Sequence, residues 1–159
     1  MNITDVTEED LEFFKNLTFL DISDKHVDMH KLANLTALEE LDLQYNSLDM
    51  LKLADGSFPA LHTLHLCYNK IPPGHIQDLG ALTELRILNL GSNFLSTLPT
   101  DMSFLAQLEE LNLSANSFSS FSTLVNPGAL FKALSTVPRL KKLNLSRNKF
   151  AEFHSSELP

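Results

Sequence analysis

The sequence predicts an α/β solenoid, with a parallel sheet of about six strands on the concave face and short helices or 3-10 turns on the convex face. Three observations predict it. The pattern Leu-x-x-Leu-x-Leu-x-x-Asn-x-Leu, with Ile or Phe allowed at the end, occurs five times, and a degenerate sixth copy begins at Leu17. Successive first leucines lie 21, 23, 24, 23 and 32 residues apart. The central x-Leu-x-Leu-x alternates with period two, as a half-buried strand does.

The two alternating apolar positions are aliphatic in all six copies, so we expect them to share one buried face. They are Leu20/Ile22, Leu41/Leu43, Leu64/Leu66, Leu88/Leu90, Leu111/Leu113 and Leu143/Leu145. One strand cannot bury its face alone, so neighbouring repeats must stack. We therefore interpret residues 1–159 as a single domain, with an N-terminal cap at about 1–16, repeats at about 17–150 and an incomplete C-terminal cap at 151–159.

One asparagine follows each clear strand motif, where the chain turns inward and its polar groups leave water. Such groups need hydrogen-bond partners, and an inward asparagine supplies both an acceptor and donors. These residues are predicted to form a structural ladder, and Asn93→Ala is expected to cost about 1–3 kcal/mol. The predicted ladder is Asn46, Asn69, Asn93, Asn116 and Asn148.

Strand residues that alternate with the leucines should form the concave face, which is the candidate binding surface. Tyr45 and Tyr68 lie just beyond two adjacent strands, and tyrosines are enriched at binding hot spots. Along the repeats the face is expected to run from acidic, through aromatic and imidazole, to amide and basic. The alternative is an idle solvated sheet face. The candidate partner-binding residues are Asp42, Tyr45, His65, Tyr68, Asn89, Asn112, Lys142, Asn144 and Arg147.

Metal binding and catalysis are not predicted. His65 and Cys67 should point the same way with Asp42 one strand over, but no closely spaced second pair of ligands completes a zinc motif. The sequence contains no GxGxxG, GxxxxGK[ST], HExxH or GxSxG motif. We therefore expect a protein that is not an enzyme and has no cofactor.

Charge and cysteine content indicate which partners are unfavourable and which cellular location is expected. Residues 1–60 hold 13 acids and 4 bases, whereas residues 61–159 hold 7 acids and 8 bases. An acidic chain is a poor partner for nucleic acid or for an anionic membrane. The single cysteine, Cys67, cannot form a disulfide within the chain, and no signal peptide is visible. These features predict an intracellular location.

The two ends and the longest spacing are the irregular parts of the pattern. Thr7 to Asp10 resembles a helix start, after which Leu11, Phe14 and Phe13 would cover the first layer. Within the long 119–138 segment, Asn126 as N-cap and Pro127 at the first position predict an α-helix near 127–135. The C-terminal layer ends without a polar cap. This favours a fragment of a longer protein, and the alternative is an end that a partner or a second copy covers. We expect either a monomer or edge-to-edge contact through that end.

The repeats resemble the leucine-rich repeat superfamily over residues 17–150, which implies a right-handed leucine-rich repeat solenoid. They are also similar to the N-terminal repeats of the X-ray radiation resistance-associated protein family. That resemblance rests on Phe58-Pro59-Ala60-Leu61, Asp78-Leu79-Gly80-Ala81-Leu82, Leu95-Ser96-Thr97-Leu98-Pro99 and the long gap before Arg139-Leu140-Lys141-Lys142-Leu143. It implies a longer, intracellular protein with a cytoplasmic or nuclear location, and no defined biochemical activity.

The function expected from these observations is a non-catalytic protein-protein interaction module that binds an unidentified protein on its concave face. The alternative is a regulatory or targeting domain of a larger enzyme or complex. Nucleic-acid binding is disfavoured by the acidic first half of the chain.

Overall fold

Six short strands form one parallel sheet in the computed structural model, which describes residues 13–24, 29–119 and 128–150. The strands pair strictly in chain order, each with the next, so the predicted solenoid is present. They are β1 (Phe19–Asp21), β2 (Glu40–Asp42), β3 (Thr63–His65), β4 (Ile87–Asn89), β5 (Glu110–Asn112) and β6 (Lys142–Asn144).

Equivalent residues of successive repeats lie side by side. Leu20 is in register with Leu41, and this register continues through every strand pair to Leu143. Because side chains alternate along a strand, the leucines point inward together and the residues between them point outward together. The strand leucines of the central repeats are completely or almost completely buried, as Leu41, Leu64 and Leu88 illustrate.

The convex side is built from short helical elements and turns whose apolar side chains pack onto the inner face of the sheet. It contains α1 (Met29–Leu32), a 3-10 helix (Pro73–Ala81) and α2 (Ala129–Ser135). Ile76 and Leu79 of the 3-10 helix and Leu134 of α2 join the buried core. Pro73 suits a helix start, since its missing N–H would be unpaired there in any case.

The helix predicted near 127–135 is present as α2, which begins at Ala129. Gly128 is its N-cap residue, in a left-handed conformation (φ 84°). The predicted cap residues Asn126 and Pro127 lie outside the described residues, as do Leu11 and the C-terminal cap at 151–159.

The prediction that Phe13 and Phe14 cover the first layer is wrong. Residues 13–16 form a turn, and both phenylalanine side chains are exposed. The buried apolar residue nearest this end is Ile22, and Leu17 and Leu20 are only partly buried. At the other end all three residues of β6 are exposed.

Candidate partner-binding face

Outward strand residues form parallel rows on the concave face because the repeats are in register. The central row contains Asp42, His65, Asn89 and Asn112, with Asp21 and Asn144 at its ends. The row before it contains Phe19, Glu40, Thr63, Ile87, Glu110 and Lys142. The structure therefore brings the predicted strand candidates onto one surface.

Five residues of the central row hold the chain in the turn that follows their strand. In each, a side-chain oxygen accepts a hydrogen bond from the backbone N–H two residues later, at 2.9–3.3 Å. Asp and Asn commonly stabilise turns in this way. The five residues are Asp21, Asp42, Asn89, Asn112 and Asn144. Sequence reasoning missed this structural role, and their participation in partner binding stays a prediction.

Tyr45 and Tyr68 form a stacked pair at the carboxyl end of β2 and β3. Their ring centroids lie 4.3 Å apart with an interplanar angle of 7°. The two residues remain 53% and 49% exposed. Loss of hydration, followed by hydrogen bonding to Tyr68, raises the pKa of the Tyr45 hydroxyl. The tyrosine pair is therefore an exposed apolar surface and is not part of the buried core.

The tyrosine pair belongs to a row of residues with left-handed backbone, one in each repeat. The φ angles lie between 53° and 58°. A left-handed conformation costs roughly 1–2 kcal/mol for a residue with a Cβ. We name this row the left-handed column; its members are Asp24, Tyr45, Tyr68, Ser92, Ala115 and Arg147. In the last five repeats, the residue that follows each member of the column is a ladder asparagine. The turn that brings this asparagine inward therefore determines where the side chains of the column lie on the surface.

Each residue of the His65, Cys67 and Asp42 cluster has a partner within the protein. His65 Nε2 lies 3.5 Å from Glu40 Oε1. The Cys67 thiol donates to Asn89 Oδ1 at 2.6 Å, and both Asp42 carboxylate oxygens accept from Gln44. Burial raises the pKa of the Cys67 thiol, and the nearby Asp42 charge adds to the effect. Among the residues that the structure describes, no three His, Cys, Asp or Glu side chains group as metal ligands would.

Two lysines at the basic end of the predicted charge gradient form exposed ion pairs. Lys142 Nζ lies 2.6 Å from Glu110 Oε1, and Lys141 Nζ lies 2.9 Å from Glu109 Oε2. The hydrogen bond from Lys141 lowers the pKa of Glu109. Each of these two lysines therefore meets an acid of the preceding repeat, and the basic end of the expected gradient stays a prediction.

A shallow depression of about 290 Å³ lies on the concave face across β3 to β6. Its lining is mixed, with apolar groups from Ile87 and the strand leucines beside amide groups. The lining includes the predicted candidates His65, Asn89, Asn112, Lys142 and Asn144. Tyr45, Tyr68 and Arg147 lie outside it, in the left-handed column.

The ladder asparagines connect successive repeats from inside. Asn116 illustrates the arrangement: its Oδ1 accepts from the backbone N–H of Asn93 and Leu95, and its Nδ2 donates to Leu90 and Leu113 carbonyls. Asn46, Asn69, Asn93 and Asn116 are buried, whereas Asn148 makes equivalent bonds while half-exposed.

The stacked strands, inner asparagine ladder and parallel sheet define a leucine-rich repeat protein. Family models agree: the "Leucine rich repeat" model matches residues 59–118, and a second "Leucine Rich Repeat" model matches residues 139–159. The chain belongs to the leucine-rich repeat superfamily. Domains of this superfamily are typically non-catalytic scaffolds for protein interaction.

The chain is similar to X-ray radiation resistance-associated protein 1 of Mus musculus, at 30% identity over 102 residues. The match covers 64% of this chain and 13% of that protein. Leucine-rich repeat and fibronectin type-III domain-containing protein 4 of Rattus norvegicus is 46% identical over 74 residues, which cover 44% of this chain and 11% of that protein. Adenylate cyclase of Schizosaccharomyces pombe is 29% identical over 128 residues, which cover 79% of this chain and 7% of that protein. The chain thus spans a small part of each relative's length.

Among solved structures, the Toll–Spatzle complex from Drosophila contains a chain that superposes with a TM-score of 0.73 at 24% identity. The match covers 90% of this chain and 19% of that one. This likeness concerns the fold alone. Within the described ranges, none of the helices has the length and apolar character needed to cross a membrane.

Proposed function

We propose that this chain is a non-catalytic protein-interaction module that binds a protein partner on its concave face, centred on the tyrosine pair. The observation that carries the proposal is the exposed, parallel stack of Tyr45 and Tyr68 at 4.3 Å. Two half-exposed aromatic rings in fixed contact form a preorganised apolar surface, which loses little conformational entropy when a partner covers it.

The surroundings of the tyrosine pair support recognition of protein. His65 and Glu40 form a polar pair on the same two strands that lead to the tyrosines, and amide groups of Asn89 and Asn112 continue the row across the next two strands. Interfaces commonly combine aromatic residues at the centre with a polar rim. Arg147 stands at the far end of the left-handed column.

The test is capture of partners from cell extract by the purified chain, compared with Tyr45→Ala, Tyr68→Ala, His65→Ala and the triple variant. Phe94→Ala is the matched control, since Phe94 is also aromatic, 73% exposed and left-handed (φ 62°). We expect the triple variant to lose the captured protein and Phe94→Ala to keep it. If the triple variant is folded, as judged by circular dichroism, and captures as much of the partner as the parent chain does, the proposal is refuted.

Salt dependence separates a protein partner from nucleic acid. Nucleic-acid binding releases counterions, and its affinity falls steeply as salt rises, whereas contact with the tyrosine pair should depend on salt much less. Persistence of the complex after nuclease treatment and at raised salt is the expected result.

A second candidate function is a regulatory or targeting domain of a larger enzyme or complex. It is favoured by the similarity to adenylate cyclase of Schizosaccharomyces pombe, which extends over 79% of this chain. Immunoprecipitation of the endogenous protein followed by peptide sequencing tests it. Peptides of a catalytic domain continuous with this chain would favour the second function; their absence from the complete protein would favour the first.

A further inference from the structure

We propose that the partner segment recognised by the tyrosine pair carries arginine, whose guanidinium group stacks on the outer face of Tyr45 and pairs with Asp24. This inference rests on the proposed function and names the chemical class of the partner. The two exposed stacked rings offer a flat surface, and the charges around them determine which side chain fits there.

The outer face of the Tyr45 ring borders the first repeat. Its other face is occupied by Tyr68, at 4.3 Å. Asp24 holds the position of Tyr45 in the preceding repeat, with nearly the same φ (55° and 58°), and its backbone N–H donates to the Gln44 carbonyl at 2.9 Å. Neighbouring parallel strands lie about 4.8 Å apart. A planar group stacked on Tyr45 would therefore lie over the position of Asp24, beside its exposed carboxylate.

Acidic side chains cluster at this end of the concave face. Asp21, Asp24, Glu40 and Asp42 occupy outward or left-handed positions of the first two repeats, and among the described residues of those rows no Lys or Arg accompanies them. The next base in these rows is Lys142, on β6, which already pairs with Glu110. A cationic partner would thus meet complementary charge beside the rings.

Ionised carboxylates lie near the tyrosine pair. Burial raises the pKa of the Cys67 thiol and the charge of Asp42 adds to that effect, so the Asp42 carboxylate acts electrostatically on the residue that precedes Tyr68 in the chain. The Ser23 backbone N–H lowers the pKa of Asp21, so that carboxylate stays ionised at neutral pH. The acidic surround is therefore present under ordinary solution conditions.

Arginine fits this arrangement better than lysine. The guanidinium group is planar and weakly hydrated, stacks on aromatic faces and binds a carboxylate with two parallel hydrogen bonds. The lysine ammonium is compact and strongly hydrated, so it gains less from a flat ring. We therefore expect selection for arginine beyond what net charge alone produces.

The experiment uses capped hexa-arginine and hexa-lysine peptides as probes, titrated into the complete chain at low salt. The chain has two tyrosines and no tryptophan, so its tyrosine emission reports on Tyr45 and Tyr68 alone. We expect hexa-arginine to change this emission saturably and to bind at least about fivefold more tightly than hexa-lysine. Calorimetry measures the affinities independently of the emission.

Two variants with the same net charge separate a local contact from general attraction. Asp24→Asn removes the proposed partner carboxylate, and Asn tolerates the left-handed backbone there. Asp101→Asn removes an exposed carboxylate from the convex side, where its Oδ1 accepts from the backbone N–H of Ser103. Hexa-arginine should bind roughly fivefold more weakly to Asp24→Asn and within about twofold of the parent to Asp101→Asn.

Several outcomes overturn the inference: no binding of hexa-arginine, equal binding of the two peptides, or equal losses in Asp24→Asn and Asp101→Asn. Failure here leaves the proposed function intact if a captured protein still depends on Tyr45 and Tyr68. If the triple tyrosine and histidine variant captures the partner as well as the parent chain does, the proposed function itself fails, regardless of how the two peptides bind.

Discussion

Replacing Asn93 with alanine tests whether the inner ladder holds the repeats together. Asn93 is 3% exposed, and its Nδ2 donates to the carbonyls of Leu66 (2.8 Å), Leu90 (3.1 Å) and Gly91 (3.2 Å). Its Oδ1 accepts from the backbone N–H of Ile71 at 3.2 Å. The substitution removes all these bonds while leaving the backbone groups buried.

The cost depends on which of these groups keep another partner. The Leu66 and Leu90 carbonyls still accept from the side chains of Asn69 and Asn116, and the Gly91 carbonyl still accepts from a backbone N–H. The Ile71 N–H loses its side-chain acceptor, and an unsatisfied buried donor costs about 1–3 kcal/mol. With the weakened carbonyl contacts, we expect a loss of about 2–4 kcal/mol in the free energy of unfolding.

Thermal unfolding followed by circular dichroism measures this loss. For a chain of this size, the expected fall in Tm is about 5–15 °C. Asn148→Ala should cost about 1 kcal/mol, because water can reach the half-exposed groups it leaves. Asn34→Ala, at an exposed position, should change stability by less than about 0.5 kcal/mol. If Asn93→Ala melts within about 1 °C of the parent, the ladder is not a source of stability and the reasoning is refuted.

Three further predictions concern the left-handed column and the thiol beside it. Ala115→Gly should raise the free energy of unfolding by about 0.5–1 kcal/mol in chemical denaturation, because it relieves the strain of a left-handed alanine. Ala106→Gly, at a position where φ is not positive, should lower it. The reverse order would contradict the strain argument. Spectrophotometric titration at alkaline pH should show the Tyr45 hydroxyl ionising above its usual pKa of 10.0, so that its contribution to stability is present below pH 10 and lost above it. Tyr68→Phe should bring that pKa closer to normal, and an unchanged titration would argue against the pairing. The Cys67 thiol, buried and with a raised pKa, should react with thiol reagents much more slowly in the native than in the unfolded chain, and equal rates would contradict its burial.

Much of the scaffold was predictable because its causes are local and repeated. The period-two leucines determine which strand face is buried, and the asparagine after each strand meets a need for hydrogen bonds that every repeat shares. Helix α2 was also predictable from its apolar face, since Leu130 and Leu134 recur at helical spacing. These signals come from residues within a few positions of one another.

The details of the candidate face were less predictable because they depend on register and backbone conformation. Lys142 lies 32 residues from its partner Glu110, and only the strand register shows that they meet. The turn role of Asp42 and Asn112 had a visible signal in the sequence, which is an Asp or Asn at the strand end before a tight turn. Nothing in Tyr45 suggests a left-handed backbone, which bulky residues normally avoid. The intracellular, cytoplasmic or nuclear location stays a prediction.

The long segment between β5 and β6 has a consequence for how this molecule can vary. First leucines are 32 residues apart there and 21 to 24 apart elsewhere, yet Leu111 and Leu143 pair in the same register as every other neighbouring leucine pair. The extra length therefore leaves the strand register unchanged, and the described helix of this segment, α2, packs on the convex side. Peptide tags or reporter groups inserted on the convex side should leave the concave side chains in place, whereas a single residue added between a strand leucine and its asparagine would shift them.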